Sequence, residues 1–221
     1  QEYLSSVHKW IKSILHKIGI IITARLPILN TYIPLLNTSN METAQIIQQT
    51  KKWIKDVVIG LNFCPFANKE YKNDTIRYQV SDSKDMSVVM MQLFEECVFL
   101  DMNEETSTTL LILSEGFQDF EEYLFLVDIC EKLLRKQKYE GIYQIATFHP
   151  EYVFEGEDPL DPANYTNRSV YPMLHLLREE QLEDAIDNFP DTELIPEKNI
   201  EVARKLGLEK LQALKAACHN F

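Results

Sequence analysis

Residues 108–148 read TTLLILSEGFQDFEEYLFLVDICEKLLRKQKYEGIYQIATF. The stretch opens on Thr108–Leu113, a short apolar run that reads as an inner strand. A helix is expected over Phe117–Lys136. Gln118, Asp119, Glu121 and Glu122 stand near its start and Lys132, Arg135 and Lys136 near its end, the charge order that suits a helix dipole. Gly141 then opens a further strand, Ile142–Phe148. Strand, helix and strand at this spacing imply a crossover connection, with helices packed on a sheet.

The same reading extends toward the N-terminus. Ile76-Arg77-Tyr78-Gln79-Val80 alternates as a half-buried strand does. Ser81-Asp82-Ser83 supplies capping residues for a helix from about Lys84 to Leu100. Ile46, Ile47, Trp53, Ile54, Val57 and Val58 recur at helical spacing and predict a helix from about Thr43 to Ile59, ended by Gly60. Leu61-Asn62-Phe63-Cys64-Pro65-Phe66 follows as an unusually apolar loop.

Toward the C-terminus, residues 149–171 lack periodicity and contain Pro150, Gly156, Pro159 and Pro162. A connection of this length is uncommon unless functional or disordered. Tyr152, Phe154, Tyr165 and Tyr171 argue against disorder. Pro172 is placed as the first residue of a helix to about Asn188. Two more helices are expected, Pro196–Leu206 and Glu209–Ala217. The order predicts an α/β protein, with α+β as the alternative: a small mixed sheet of about three or more strands, covered by helices in a two- or three-layer sandwich.

Composition bounds the function classes. The chain has 221 residues, 45% of them hydrophobic, and a net charge of −12, so it can bury a core and is a poor match for phosphate backbones. Residues 1–40 carry Lys9, Lys12, Lys17 and Arg25 against Glu2, a net of +3, which leaves −15 for the rest. Their apolar stretch, Ile18–Ala24, is far shorter than the roughly 20 residues that span a bilayer, and Pro27 and Pro34 oppose a long helix. Met41 follows a polar run and opens the amphipathic helix. The expectation is therefore an N-terminal extension over 1–40, an organellar targeting peptide being the alternative, and a single globular domain over 41–221. Cys64, Cys97, Cys130 and Cys218 contain no Cys-x-x-Cys pair. They read as reduced thiols of a cytoplasmic protein.

Candidate chemistry gathers at the long loop and its flanks. His149 follows a strand end, where α/β folds place ligands. On a helix opened by Pro172, His175, Arg178 and Glu179 share one face at i, i+3 and i+4, opposite Met173, Leu176 and Leu177. Asn167 and Arg168 precede that helix, whose N-terminus would attract an anion. Cys64, beside Asn62, sits outside any apolar stripe and qualifies as a nucleophile or, with two histidines, as a metal ligand. Bland roles compete: His149 closing a strand, Arg178 and Glu179 on a solvated face, Asn164 and Asn167 as turn formers, and Cys64 as a thiol packed between Phe63 and Phe66.

Three stretches together, Trp53–Phe66, Thr147-Phe148-His149-Pro150 and Thr166–Glu179, resemble the domain of unknown function 1415 family. The resemblance covers roughly Met41–Leu206, and Leu61–Phe66 and Asn167–Glu179 are its most specific parts. It implies a mainly bacterial-type soluble protein and supplies no activity or catalytic residue. Val170 stands where the family pattern has proline.

Two readings result. The first is an enzyme acting on a small anionic metabolite. Arg168 and Arg178, with Asn167 and Asn62, would bind it. His149 or His175 would be the acid or base, with Glu179 and Cys64 in support and a metal ion as a variant. It expects Cys64, His149 and His175 in one pocket. The second is a non-catalytic ligand-binding or interaction module that uses the loop aromatics. Neither involves nucleic acid or a membrane.

Overall fold

The computed structural model describes residues 29–220. Helix α1 (Leu29–Trp53) starts earlier than expected and runs through Pro34, which removes one amide donor from it. Residues 1–28 of the expected extension lie outside the described residues. After Trp53 the helix widens into a π turn, Ile54–Ile59. Gly60 ends it for a reason of space: a Cβ there would stand 2.4 Å from the Asp56 carbonyl oxygen. A short helix α2 (Ala67–Asn73), with no apolar periodicity to announce it, then leads to strand β1 (Ile76–Ser81).

Helix α3 (Met86–Met102) is capped by Asp85, whose carboxylate accepts the Ser87 N–H at 2.8 Å. Strand β2 (Thr108–Leu113) is buried along its whole length. Helix α4 (Phe120–Lys136) starts on Asp119, which accepts the Glu122 N–H at 2.9 Å. Its acids and bases stand at the ends expected from the dipole. Strand β3 (Tyr143–Phe148) follows.

Beyond β3 the expected helix from Pro172 to Asn188 is corrected. Met173–Arg178 is strand β4, and helix α5 begins only at Glu179 (Glu179–Asp187). Met-Leu-His-Leu-Leu-Arg satisfies helical and strand patterns alike. Here pairing decides, because β4 lies in the middle of the sheet. The strand order is β1-β2-β4-β3, with β1 parallel to β2 and β4 antiparallel to both β2 and β3. The carboxylates of Glu179 and Glu180 instead occupy the first turn of α5, where the dipole favours them. Helices α6 (Ile195–Leu206) and α7 (Leu208–Ala217) close the chain.

Residues from Thr43 onward form one compact unit, built as three layers. On one sheet face Leu111, Leu113, Leu174 and Leu176 pack against α3 and α4 through Leu93, Leu100, Tyr123 and Leu126. On the other, Leu110, Ile112 and Met173 meet Trp53, Val57 and Phe63, with Ala203 and Leu211 from α6 and α7. Each fully buried leucine contributes about 1.5–3 kcal/mol. Tyr123 ties α4 to the sheet: its hydroxyl donates to the Met173 carbonyl at 2.6 Å and accepts the Phe148 N–H at 3.2 Å.

Among the described residues two buried side-chain atoms have no hydrogen-bond partner, Gln92 Oε1 and Thr109 Oγ1. Thr109 is the fully buried residue of the two. An unsatisfied buried hydroxyl costs about 1–3 kcal/mol, and valine has nearly the same shape. Thr109→Val is expected to leave urea-unfolding stability unchanged or raise it by up to about 2 kcal/mol. A clear loss would mean that the hydroxyl has a partner in solution.

Candidate functional site

The alternation of β4 sends its side chains to opposite faces. Leu174, Leu176 and Arg178 turn toward α3 and α4, and Met173, His175 and Leu177 toward the opposite layer. His175 pairs with Leu110 of β2 on one side and with Ala146 of β3 on the other. It therefore sits on the sheet face, not on a helix surface. There it borders a cavity of about 260 Å³ between the sheet, the π turn, α2 and α5. Trp53, Val58, Phe66, Leu110, Phe148 and Leu177 supply most of its apolar wall, and Cys64, Glu70, Thr108 and His175 are among its polar lining residues.

The geometry around His175 fixes its protonation pattern. Nε2 lies 2.7 Å from Thr108 Oγ1. The Thr108 hydroxyl itself donates to the Leu176 carbonyl, so its single proton is committed and its oxygen accepts from Nε2–H. A neutral imidazole has one N–H, which leaves Nδ1 as a lone pair. Nδ1 has no hydrogen-bond partner among the described residues and is not among the fully buried unpaired atoms. Burial pushes the His175 imidazole down from 6.5 to about 4, which keeps it neutral near pH 7.

Glu70 and Cys64 complete the polar set. Burial pushes the Glu70 carboxyl up, but hydroxyls of Ser107 and Thr75 and the Lys69 ammonium outweigh it and hold the group below its ordinary range. Glu70 is thus an ionised carboxylate at the cavity. Burial pushes the Cys64 thiol up, and the backbone N–H groups of Phe66 and Ala67 only partly offset this. The thiol stays protonated at neutral pH.

The other expected site residues lie elsewhere. His149 is fully buried. Its Nδ1 accepts the Glu151 N–H at 3.0 Å, so its Nε2–H donates to the Phe117 carbonyl, also at 3.0 Å. Both ring nitrogens are used in closing the loop. Cys64, His149 and His175 are therefore not brought into one pocket; only Cys64 and His175 share the cavity. Arg168 donates from Nε to the Tyr152 carbonyl and from Nη2 to that of Pro159, each at 2.9 Å. Asn167 donates to the Thr147 carbonyl at 3.1 Å, and Asn164 pins Phe154 and Asp158. Trp53 Nε1 donates to the Arg168 carbonyl at 3.1 Å, which anchors residues 149–171 to the cavity wall.

Arg178 borders the cavity, but its guanidinium is turned to the C-terminal end of α3. There it donates to the carbonyls of Leu100 at 2.6 Å and of Asn103 and Thr106 at 3.1 Å. Carbonyls at that helix end are the natural partners of a cation. Asn62 is an exposed turn residue at φ 57°. Glu179 opens α5 and does not line the cavity. Among the described residues no three His, Cys, Asp or Glu side chains are grouped to hold a metal ion, and all four cysteines are free. No helix among them is long and apolar enough to cross a membrane.

Sequence reasoning named Cys64 and His175 but missed Glu70 and Thr108. Glu70 rides on a helix without an apolar stripe. Thr108 looks like any strand threonine until β4 is paired beside it.

With the geometry in place, the comparisons add one identity. The family model described as a protein of unknown function (DUF1415) matches residues 45–213, and the chain belongs to this family. Searches of curated proteins and of solved structures found no match.

The folded imidazole of His175 titrates below the unfolded one. As pH falls, the unfolded chain therefore binds the proton first. The stabilisation is full above about 6.5 and is lost from there down to about 4. His175→Gln removes this titration. The stability difference between wild type and variant is expected to shrink by up to about 3 kcal/mol from pH 7 to pH 4 in urea unfolding. Parallel curves would contradict the burial assigned to His175.

Proposed function

We propose that the protein is a ligand-binding module whose ligand is a small, largely apolar molecule held in the cavity beside His175. The observation that carries this reading is the pairing of an apolar cavity wall with a lining histidine, His175, whose Nδ1 has no partner among the described residues. Binding sites combine mostly apolar lining with a few placed polar groups in this way. At about 260 Å³ the space is smaller than the roughly 300–1,000 Å³ of drug-sized sites, which favours a one- or two-ring molecule.

An anionic ligand has less support. Arg168 and Arg178, the two arginines that would clamp it, are engaged with backbone carbonyls, and Glu70 places negative charge at the cavity. The enzyme reading retains Cys64, His175 and Glu70 around one space. However, a protonated thiol is a weak nucleophile, and an imidazole titrating near 4 is a weak base at neutral pH. Binding therefore fits these groups better than catalysis does. The expectation of a cytoplasmic protein, with an extension over residues 1–40 ahead of the domain, remains part of this proposal.

Ala146 borders the cavity on β3, and a larger side chain there fills it. Ligand-observed NMR with indole and toluene is expected to show saturable binding to the wild type. Ala146→Leu should weaken it at least about tenfold without lowering the melting temperature by more than a few degrees. Absence of binding by either probe, or binding indifferent to Ala146→Leu, would remove the proposal.

A further inference from the structure

The polar groups at the cavity are unequal in kind. Thr108 has spent its proton on the Leu176 carbonyl, and its oxygen receives the Nε2–H of His175. That carbonyl can only accept, so the direction of the whole chain is set: imidazole to hydroxyl to carbonyl. Nδ1 is left as an acceptor with nothing in the protein to satisfy it. Glu70, ionised, is also an acceptor, and the Thr75 hydroxyl already donates to its carboxylate. The guanidinium of Arg178, the strongest donor nearby, is taken up by the end of α3. Gln181, whose amide can donate, is exposed and so stands at the rim.

We infer that the cavity selects molecules with an apolar body and one hydrogen-bond donor, an aromatic O–H or N–H directed at Nδ1 of His175, and rejects carboxylates, with Thr108 as the residue that sets this specificity. The inference rests on the ligand-binding reading above and adds the class of ligand. An apolar molecule without a donor leaves Nδ1 desolvated and unpaired. A carboxylate meets a lone pair and a second carboxylate. A donor-bearing ring satisfies Nδ1 and leaves its carbon face to Trp53, Phe148 and Leu177. Discrimination by a buried acceptor that only the correct partner satisfies exceeds discrimination by shape alone.

Thr108 acts through His175, and its role has a readout of its own. In the wild type, nitrogen–proton correlation spectra of the imidazole are expected to show the Nε2–H tautomer of His175. Thr108→Val removes the acceptor of that proton and should populate the Nδ1–H form. Thr108→Ser keeps the hydroxyl and should keep the wild-type tautomer.

Phenol and toluene differ by an O–H in place of a methyl group. Phenol is expected to bind the wild type about three- to tenfold more tightly than toluene, the range of one net hydrogen bond, and benzoate more weakly than either. In Thr108→Val, where Nδ1–H donates instead, benzoate should gain affinity relative to phenol, whose oxygen can also accept; in Thr108→Ser the wild-type order should persist. If toluene binds the wild type as tightly as phenol, or benzoate binds best, the donor-class inference is overturned while the cavity remains a binding site. If neither phenol nor toluene binds, the cavity reading falls and this inference with it. Should Thr108→Val fail to fold, the wild-type tautomer and the three wild-type affinities decide the matter alone.

Discussion

Strand β4 is the constraint on which the rest of the structure depends. A strand paired on both edges commits every backbone amide and carbonyl along it, and only strict alternation of side chains is left. Six residues, Met173–Arg178, thereby set both cores. Leu174 and Leu176 complete the layer under α3 and α4, and Met173 the layer under Trp53. Arg178, last in the strand, closes the end of α3 with its guanidinium. His175 is a polar ring held at mid-strand, beside a space that the protein does not fill.

The long connection before β4 acts as a brace for that strand. His149, Asn164, Asn167 and Arg168 direct their polar atoms to carbonyls and amides of the loop, of the β3 end and, at Phe117, of the segment before α4. These groups could equally have formed a catalytic cluster. Their hydrogen bonds are instead what allows residues 149–171 to be ordered without regular secondary structure, since buried polar atoms must find partners. Trp53 transmits the order to the cavity by bonding the Arg168 carbonyl while its ring meets Phe148 edge-on at 5.2 Å.

Much of this was legible in the sequence. The three strands outside β4 showed by alternation or by short apolar runs, and α4 by its charge order and apolar spacing. What the sequence left ambiguous was Met173–Arg178, because so short a segment fits a helical period as well as a strand, and the neighbours Thr108–Leu113 and Tyr143–Phe148 determine its conformation. The site followed suit. His175 was singled out through a helical face that does not exist; it lies on β4 instead and lines the cavity. Cys64 was found from its loop context. Glu70 and Thr108 had no local signal, since their roles arise only when α2 and β2 are brought to the same cavity. Arg168 and Arg178 looked like an anion clamp because arginine pairing with backbone carbonyls leaves no mark on sequence.

The central claim is that the sheet face at His175 opens on a persistent apolar space. Crystals equilibrated under xenon gas measure this directly, because xenon enters dry apolar cavities and is displaced from polar, hydrated ones. The account predicts a xenon site among Trp53, Phe148 and Leu177, within the cavity that His175 borders. A space collapsed around those side chains, or one holding only ordered water with no xenon, would contradict it.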